Sequence, residues 1–246
     1  MKHAFQWIRS AIYVGQIYFM MLPLGILFLP WALFDRRGAN AACKTWCAWT
    51  LWTARWMVGI RTEVRGTPPK EECLVVGKHQ SFLDVIMIFN SLPAGKFIMK
   101  RELMWAPILG QYGLRLGCVP VDRGKRSQAI RQMIEDVNDG KQAPGQLIIY
   151  PQGTRIPPGV KAPYKVGSGV LYEELGQRCY PVAGNVGLFW PKKGIMREPG
   201  LAVIEFLPPI EAGMDKDDFM IELETQIETN SDRLMSEAGF YGDGVH

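Results

Sequence analysis

The sequence contains few of the residues from which metal and nucleotide sites are built. Only three of its 246 residues are histidine and five are cysteine, and no CxxC pair occurs. Zinc-ligand spacings cannot be assembled from so few side chains, so we expect neither a metal nor a cofactor. The chain also lacks a GxxxxGK[ST] loop and a GxGxxG run after a strand, the two common nucleotide-binding motifs. It has no GxSxG elbow either, which argues against an α/β-hydrolase.

The sequence also lacks a strong excess of charge of one sign. Its net charge is +4, and 48% of its residues are apolar, which excludes a disordered chain and makes a nucleic-acid partner unexpected. The charge is nevertheless uneven. Residues 61–204 hold 20 basic against 12 acidic residues, whereas residues 205–246 hold two against 11. A basic middle segment beside an acidic end suggests that the middle segment binds an anion.

The cysteines are odd in number and scattered along the chain, at Cys43, Cys47, Cys73, Cys118 and Cys179. We interpret them as reduced thiols in a core or an interface, because a disulfide framework is typical of small secreted chains with paired cysteines. The chain is therefore expected to face a reducing compartment.

Residues 10–34 form a run of 25 positions without a charge. About 20 apolar residues can cross a bilayer as a helix. However, Pro23, Gly25 and Pro30 interrupt such a helix, and basic residues flank the run on both sides, which favours both ends on one side of a membrane. A cleavable signal peptide ending at the Ala-Asn-Ala run of residues 39–41 is an alternative, but the apolar run is longer than a signal peptide needs.

A second apolar stretch, residues 39–60, carries tryptophan at helical spacing, at Trp46, Trp49, Trp52 and Trp56. Tryptophan prefers the membrane–water boundary because its ring is apolar and its N–H is polar. The same stripe also fits the core of a soluble helix. We favour a helical hairpin in residues 1–60 that lies in one leaflet or at its interface, with these four tryptophans at the boundary.

From residue 61 to residue 246 the pattern becomes that of one globular domain. Apolar runs predict strands at residues 73–76, 97–99, 146–150, 180–186 and 202–207, with another strand before Asp122. Amphipathic runs predict helices at residues 85–92, 127–137 and 215–235. Strands that alternate with helices indicate an α/β domain whose mostly parallel sheet is flanked by helices.

His79 is the only histidine away from the chain ends, since the others are His3 and His246. It follows a predicted strand, and α/β sheets place their sites at such strand ends. Asp84 lies in the first turn of the next helix, from where its carboxylate can fix the tautomer of the imidazole. The other ring nitrogen can then take a proton from a hydroxyl. The spacing from Ser81 to Asp84 is also a capping-box pattern, so the carboxylate can instead stabilise the helix start.

Three further loops place basic or hydrogen-bonding side chains at predicted strand ends. Lys100 and Arg101 follow one strand, Arg123 follows another, and the Tyr-Pro-Gln-Gly-Thr-Arg run of residues 150–155 ends a third. The glycine permits a backbone shape closed to other residues. Threonine and arginine side chains suit a phosphate or a carboxylate. Together with His79, these loops favour an anionic substrate.

Residues 79–84 have the HxxxxD pattern and resemble the first block of the glycerolipid acyltransferases, specifically the lysophosphatidic acid acyltransferases. The other three blocks of that family have similar segments here in the same order, at residues 117–123, 151–155 and 180–182. Residues 100–103 are similar to the stretch between the first two blocks. HxxxxD alone is a weak signal, but four ordered blocks after a membrane hairpin are specific.

This resemblance implies an O-acyltransferase that moves a fatty acyl group from acyl carrier protein or coenzyme A to a lyso-lipid, with 1-acylglycerol-3-phosphate as the expected acceptor and phosphatidic acid as the product. It implies that His79 is the general base and that Asp84 orients it. The substrate-binding residues that it implies are Lys100, Arg101, Arg123, Gln152, Gly153, Thr154 and Arg155. The enzyme would lie on the inner (cytoplasmic) membrane, in contact with membrane lipid, with its active site on the cytoplasmic face.

Gln152 departs from the family pattern, which usually has glutamate at this position. Glutamine keeps the size and an acceptor oxygen but lacks the negative charge. An alternative acceptor is therefore an amino-acid-containing lyso-lipid such as lyso-ornithine lipid. A second alternative is a membrane-bound lipid-binding protein without transfer activity, against which the intact His79–Asp84 pair argues. We expect Gln152 to lie in a turn outside the core and to influence the choice of acceptor.

Overall fold

The computed structural model of the protein describes residues 2–106, 108–121 and 144–241. The helices in these ranges are α1 (Lys2–Phe34), α2 (Arg36–Met57), α3 (Leu83–Ser91), α4 (Leu109–Arg115), α5 (Gly167–Leu175) and α6 (Lys216–Glu237). Two short 3-10 helices are Arg101–Trp105 and Val186–Leu188. The helix predicted at residues 127–137 lies outside the described ranges.

The strands are β1 (Ile60–Arg65), β2 (Cys73–Gly77), β3 (Gly95–Lys100), β4 (Val119–Val121), β5 (Gln146–Ile149), β6 (Cys179–Gly184) and β7 (Gly200–Phe206). They form one sheet in the order β1-β7-β6-β2-β5-β3-β4. Every neighbouring pair is parallel except β6 and β7, which are antiparallel. The predicted α/β fold with a mostly parallel sheet is therefore confirmed.

Helices cover both faces of this sheet. On one face Val75 and Ile148 are buried together with Ile86 of α3, and α1 and α2 join the same core. On the other face Leu74 is buried with Phe219 of α6. Successive strand residues point to opposite faces, so a strand covered on both faces is apolar throughout. This explains the continuous apolar run of β2, from which the sequence predicts a strand.

The neighbouring strands β2 and β5 have connections that leave in opposite directions. The chain leaves β2 through α3, which belongs to the first core, and reaches β3 beyond β5. It leaves β5 toward α5, which belongs to the second core, and reaches β6 beyond β2. Such a divergence opens a crevice at the carboxyl ends of the two strands, where α/β sheets bind ligands. The loops at this crevice carry His79 and residues 151–155.

The first two helices form an antiparallel pair that packs on the sheet. Trp46 Nε1 donates a hydrogen bond to the backbone oxygen of Ile17 at 2.7 Å. Near the other end of the pair, Gln6 Nε2 donates to the backbone oxygen of Val58 at 3.0 Å. The chain reverses at Asp35, whose side chain accepts from the backbone N–H of Arg37 in the first turn of α2. The N-terminal segment is thus a helical hairpin, as the sequence indicated.

Within the described part of the chain, α1 is the one helix long and apolar enough to cross a membrane, over His3–Phe34, and only 17% of its most apolar stretch is buried. Pro23 and Pro30 lie inside it. The expected interruption is therefore wrong, because the helix continues through both prolines. Each proline lacks the backbone N–H that would bond to the carbonyl four residues earlier, and its ring crowds that carbonyl.

The tryptophans of α2 lie in two environments. Trp46 is 9% exposed and packs in the core, as the alternative interpretation expected, whereas Trp52 and Trp56 are each 56% exposed. Trp49 Nε1 donates to the Gln16 side chain at 2.7 Å. The expectation that all four tryptophans reach a membrane boundary is therefore wrong for Trp46, because that side of α2 faces α1.

The other predicted strands and helices in the described ranges are present, with small shifts at their ends. The strand β1 and the helices α4 and α5 were not predicted. All five cysteines are free thiols, four of them buried, which agrees with their interpretation as reduced core residues.

Candidate active site

His79 lies at the carboxyl end of β2, directly after a residue that the surrounding structure holds firmly. The backbone N–H of Lys78 donates to the Val182 oxygen on β6 at 2.9 Å. The side chain of Lys78 is 3% exposed and donates to Glu228 on α6 at 2.6 Å. The His79 side chain is 16% exposed. The backbone at His79 is therefore held in place, while the imidazole still reaches the surface of a cavity.

Three hydrogen bonds orient the carboxylate of Asp84. Its Oδ1 lies 2.8 Å from Nδ1 of His79. Its Oδ2 accepts from the backbone N–H groups of Gln80 at 2.9 Å and Ser81 at 2.7 Å. Because a carboxylate accepts, Nδ1 carries the ring hydrogen and Nε2 is the basic nitrogen.

Asp84 satisfies both interpretations of its spacing. The bond from the Ser81 N–H caps the start of α3, and Ser81 Oγ in turn accepts from the backbone N–H of Leu83 at 3.1 Å. The other carboxylate oxygen meets His79. The two interpretations were treated as alternatives in the sequence, but one carboxylate has two oxygens and one turn of helix brings both into position.

The loop after β5 is joined to His79 through the backbone. The N–H of Ile156 donates to the His79 oxygen at 2.8 Å, and the N–H of Gly153 donates to the Tyr150 oxygen at 2.9 Å. Gly153 has a φ of +67°, which side-chain-bearing residues rarely adopt. This turn brings Thr154 and the residues around it to the cavity that His79 lines.

The ring of Tyr150 stacks on the imidazole of His79, with centroids 4.0 Å apart and planes inclined by 21°. Its hydroxyl is buried and makes no hydrogen bond of regular geometry among the residues that the structure describes, although it lies near the Asp84 carboxylate. Burial, and then the negative charge and the acceptor oxygens of Asp84, hold the pKa of Tyr150 well above its ordinary value. The phenol is therefore neutral at physiological pH.

His79 lines a cavity of about 1,100 Å³ whose walls are mostly apolar. Apolar lining side chains include Met21, Leu24, Trp46, Phe82, Phe89, Phe97, Met99, Leu103, Ile108, Tyr112 and Leu116. The basic residues in the lining are Arg155, Lys165 and Lys192, and Lys192 Nζ donates to Thr154 Oγ1 at 3.4 Å. A cavity of this size and composition suits a long apolar chain with an anionic end.

Four of the nine predicted site residues line this cavity, and a fifth contacts one of them. Gly153, Thr154 and Arg155 line it with His79, and Asp84 lies behind the imidazole. Lys100 ends β3, at the same edge of the sheet as β2 and β5. Arg101 begins the 3-10 helix after β3, is exposed and lies outside the cavity lining. Arg123 lies outside the described residues.

Gln152 differs from its expected environment. It lies in the turn after β5, as predicted, but its side chain is 3% exposed, so the expectation of a position outside the core is wrong. Pro151 and Gly153 line the cavity, whereas Gln152 between them does not, because the tight turn directs its side chain inward. Neither polar atom of the amide has a partner within the described ranges.

Several contributors to the site were not found in the sequence. Lys165 and Lys192 stand in no motif, and only the fold brings them to the cavity. The ion pair of Lys78 with Glu228 was also missed, although Lys78 directly precedes His79. The Tyr164 hydroxyl donates to the same carboxylate at 2.7 Å. Burial together with the charge of Glu228 raises the pKa of Tyr164.

The side chains around the cavity offer acid–base and electrostatic chemistry. The Nε2 of His79 can accept a proton from a hydroxyl in the cavity, and Asp84 can stabilise the resulting imidazolium. The three basic side chains can bind an anion close by. Among the described residues, no group of three or more His, Cys, Asp or Glu side chains could hold a metal ion.

Comparison with known proteins points to one family. Residues 61–184, about half of the chain, match the family model described as Acyltransferase. The chain is 28% identical over 230 residues to a 1-acyl-sn-glycerol-3-phosphate acyltransferase of Pseudomonas aeruginosa, covering 93% of this chain and 86% of the relative. It is 30% identical over 216 residues to the human 1-acyl-sn-glycerol-3-phosphate acyltransferase alpha, covering 85% of this chain and 74% of the relative.

A solved structure shares the fold. The crystal structure of the 1-acyl-sn-glycerophosphate acyltransferase PlsC of Thermotoga maritima superimposes with a TM-score of 0.80. The match covers 95% of this chain and 99% of that one at 19% identity. At this identity the likeness concerns the fold, and it extends over nearly the whole chain.

Proposed function

This chain belongs to the acyltransferase family, and we propose that it acylates the free hydroxyl of 1-acylglycerol-3-phosphate to give phosphatidic acid. The donor in this proposal is a fatty acyl thioester of acyl carrier protein or coenzyme A. The observation that carries the proposal is the His79–Asp84 pair at a mostly apolar cavity that also contains three basic side chains. Relatives named for this acceptor support the choice of lysophosphatidate.

In the proposed reaction His79 is the general base. Asp84 keeps the ring hydrogen on Nδ1, so Nε2 takes the proton of the acceptor hydroxyl as its oxygen attacks the thioester carbonyl. The carbonyl then re-forms as the C–S bond breaks, and the imidazolium returns the proton to the departing thiolate. A positioned base contributes roughly 10²–10⁴-fold to such a step.

Arg155, Lys165 and Lys192 are proposed to bind the phosphate of the acceptor. A guanidinium can bind a phosphate through two parallel hydrogen bonds, whereas a lysine acts as a compact point charge. Thr154, which already accepts from Lys192, adds a hydroxyl to the same stretch. The apolar walls contributed by the hairpin and by α3 and α4 would hold an acyl chain.

The position of Gln152 bears on the alternative acceptor. The argument for lyso-ornithine lipid assumed that this side chain chooses the head group. A buried side chain off the cavity wall does not contact a head group bound in the cavity. Lysophosphatidate is therefore the acceptor that the arrangement favours.

We also propose that residues 1–60 hold the enzyme on the cytoplasmic face of the inner membrane and that residues 61–246 form the catalytic domain. Along α1 large apolar side chains are exposed, Phe19 by 69% and Leu27 by 71%. Such a surface is stabilised by transfer out of water, as at a lipid interface. Met21 and Leu24 of the same helix line the cavity, so the site for the acyl chain lies next to the helix that would contact lipid.

Turnover of an acyl thioester with detergent-dispersed lysophosphatidate tests the reaction. We expect phosphatidic acid from the wild type, and about 10³-fold less from His79→Ala in a protein that still folds. Parallel assays with carrier-protein and coenzyme A donors, and with lyso-ornithine lipid as acceptor, identify the substrates. Binding of lysophosphatidate without any transfer would instead support the lipid-binding alternative.

Vesicle flotation tests the membrane anchor. The double variant Phe19→Glu, Leu27→Glu places two charges on the exposed face of α1 and should greatly reduce the bound fraction. A matched control, Ile221→Glu with Tyr241→Glu, changes two side chains of the other end of the chain that are 67% and 68% exposed. Equal binding of both double variants would contradict an anchor formed by α1.

A further inference from the structure

Tyr150 is placed against the histidine loop by the register of the two central strands. β2 and β5 are parallel with Val76 opposite Ile149, so Gly77 and Tyr150 are the next residues along. A Cβ on Gly77 would lie 3.2 Å from Cε1 of Tyr150 and 2.9 Å from Cδ1 of Ile88. The space that the phenol ring occupies therefore depends on a glycine at the end of β2.

The ring of Tyr150 supplies a restraint on His79 that Asp84 alone does not. The hydrogen bond from Nδ1 to Asp84 fixes one atom of the imidazole at 2.8 Å and leaves the ring free to tilt about that bond. A flat face at 4.0 Å, inclined by only 21°, removes this tilt. Two restraints of different direction define the plane of the ring and hence where Nε2 points.

The hydroxyl of Tyr150 contributes less than the ring in this arrangement. It is buried near the Asp84 carboxylate but makes no hydrogen bond of regular geometry among the described residues. A hydroxyl without a well-formed hydrogen bond restrains its neighbours less than a stacked ring does. The contact with His79 is made by the face of the ring, which phenylalanine would present equally well.

We propose that Tyr150 is a positioning residue for the proposed acyl transfer, because its ring fixes the plane of the His79 imidazole and directs Nε2 into the cavity while Nδ1 remains on Asp84. The inference rests on the proposed function, since Tyr150 acts through His79 and not on the substrate. Catalytic groups must be held close to their productive geometry by neighbours whose own positions are fixed. The strand register and Gly77 fix Tyr150 in this way.

Steady-state kinetics of two variants separate the ring from the hydroxyl. Tyr150→Phe keeps the ring, and Tyr150→Leu keeps an apolar side chain without a flat face. We expect kcat to be about tenfold lower in Tyr150→Leu than in Tyr150→Phe, within the range that an aromatic contact supplies. The KM for each substrate should change by less than about twofold, because the ring acts on the base.

A spectroscopic measurement reports the geometry without depending on activity. The chain has three histidines, so side-chain NMR of the histidine-labelled full chain in detergent gives few signals, and His79→Ala assigns the one that matters. We expect an upfield ring-current shift of the His79 protons and an Nδ1–H tautomer in the wild type and in Tyr150→Phe, and loss of the shift in Tyr150→Leu. The charged groups around the imidazole are unchanged in both variants: Asp84, the Lys78–Glu228 pair, Arg155, Lys165 and Lys192.

Two kinetic results would overturn the inference: equal kcat in the two variants, whether or not both fall below the wild type, or a loss confined to KM. If Tyr150→Leu does not fold, an unshifted His79 signal in the wild type and in Tyr150→Phe overturns it instead. The role of His79 as general base and the role of Tyr150 in positioning it are refuted by different results. An active His79→Ala refutes the general base, whereas an inactive His79→Ala with equal Tyr150 variants refutes only the role of Tyr150.

Discussion

The loops after β2 and β5 lie side by side at one edge of the sheet, but their polar groups have different surroundings. In the loop after β2 the buried ammonium of Lys78 is paired with Glu228, and both oxygens of Asp84 are used. The side-chain oxygen of Gln80 also accepts from the Gly187 N–H at 3.1 Å. This loop satisfies its polar groups within the protein.

The loop after β5 leaves much of its bonding capacity unused within the described part of the chain. The Tyr150 hydroxyl and both polar atoms of the Gln152 side chain make no hydrogen bond of regular geometry there. Arg155 lines the cavity, and Thr154 is exposed. This difference between the two loops fits two different tasks, holding a reacting group and binding a ligand. A reacting group must be held rigidly, whereas a ligand needs donors at the cavity wall, which Arg155 and Thr154 supply and the inward-facing Gln152 does not.

Of the four substitutions, Asp84→Asn, beside the loop after β2, should have the largest effect. The amide can still accept from the backbone at the helix start, but its NH₂ group would donate to Nδ1 of His79, select the other tautomer and give no support to the imidazolium. We expect kcat to fall by roughly 10²–10⁴-fold with little change in stability.

A matched control for this variant is Asp215→Asn. Asp215 caps the start of α6, where its Oδ1 accepts from the Asp217 N–H at 2.8 Å. The same chemical change far from the site should leave turnover unaltered. Similar losses in both variants would show that Asp84 matters only as a cap.

Glu228→Gln tests how the first loop is anchored. The variant leaves the Lys78 ammonium, 3% exposed, without a carboxylate, and breaking a buried pair in this way costs about 3 kcal/mol of unfolding free energy. Lys78→Met should cost less, because the Glu228 side chain is 25% exposed and can be hydrated. Denaturant unfolding of both variants measures the order, and the reverse order would contradict the asymmetry.

Gln152→Glu tests the unpartnered part of the second loop. The variant buries a carboxylate, so we expect a loss of about 2 kcal/mol of unfolding free energy at neutral pH. Burial raises the pKa of such a carboxyl group in the folded protein. The destabilisation should therefore have its full size at high pH, where the group is ionised in both states, and should shrink as the pH falls toward the unfolded-state pKa of about 4.3.

The control for this substitution is Gln152→Met, which replaces the amide by an apolar group of similar length and should cost under about 1 kcal/mol. Thermal and denaturant melts compare the two. Equal destabilisation would mean that the amide itself is bonded. A change in acceptor preference without a change in stability would restore the direct role that we first expected for this residue.

Of the four substitutions, Arg155→Ala should have the smallest effect. Its removal takes one cation from the cavity wall, so we expect the KM for lysophosphatidate to rise about tenfold with kcat nearly unchanged. Lys193→Ala removes an exposed charge that is next to Lys192 in sequence but outside the cavity lining. A similar KM for the two variants would exclude a direct contact between Arg155 and the acceptor.

The elements missed in the sequence have weak local patterns. In β1 every second residue is charged, at Arg61, Glu63 and Arg65, so the strand contains no apolar run. It is stabilised at the edge of the sheet by pairing with β7. α5 begins with Gly167-Ser168-Gly169, which are poor helix formers. Packing overrides this preference, because Tyr172 of α5 stacks on Phe219 with centroids 3.8 Å apart.

The local sequence accounts for the alternation of strands and helices and for the geometry of His79 and Asp84. Four residues separate these two side chains, and a strand end followed by one helical turn brings them together without help from distant residues. Long-range packing is what makes Glu228, 150 residues beyond Lys78, anchor the loop, brings Lys165 and Lys192 to the cavity, and turns Gln152 inward. Contacts of that range depend on strand order and register, which are set by the burial of both faces of the sheet at once and are not encoded in any short run of residues.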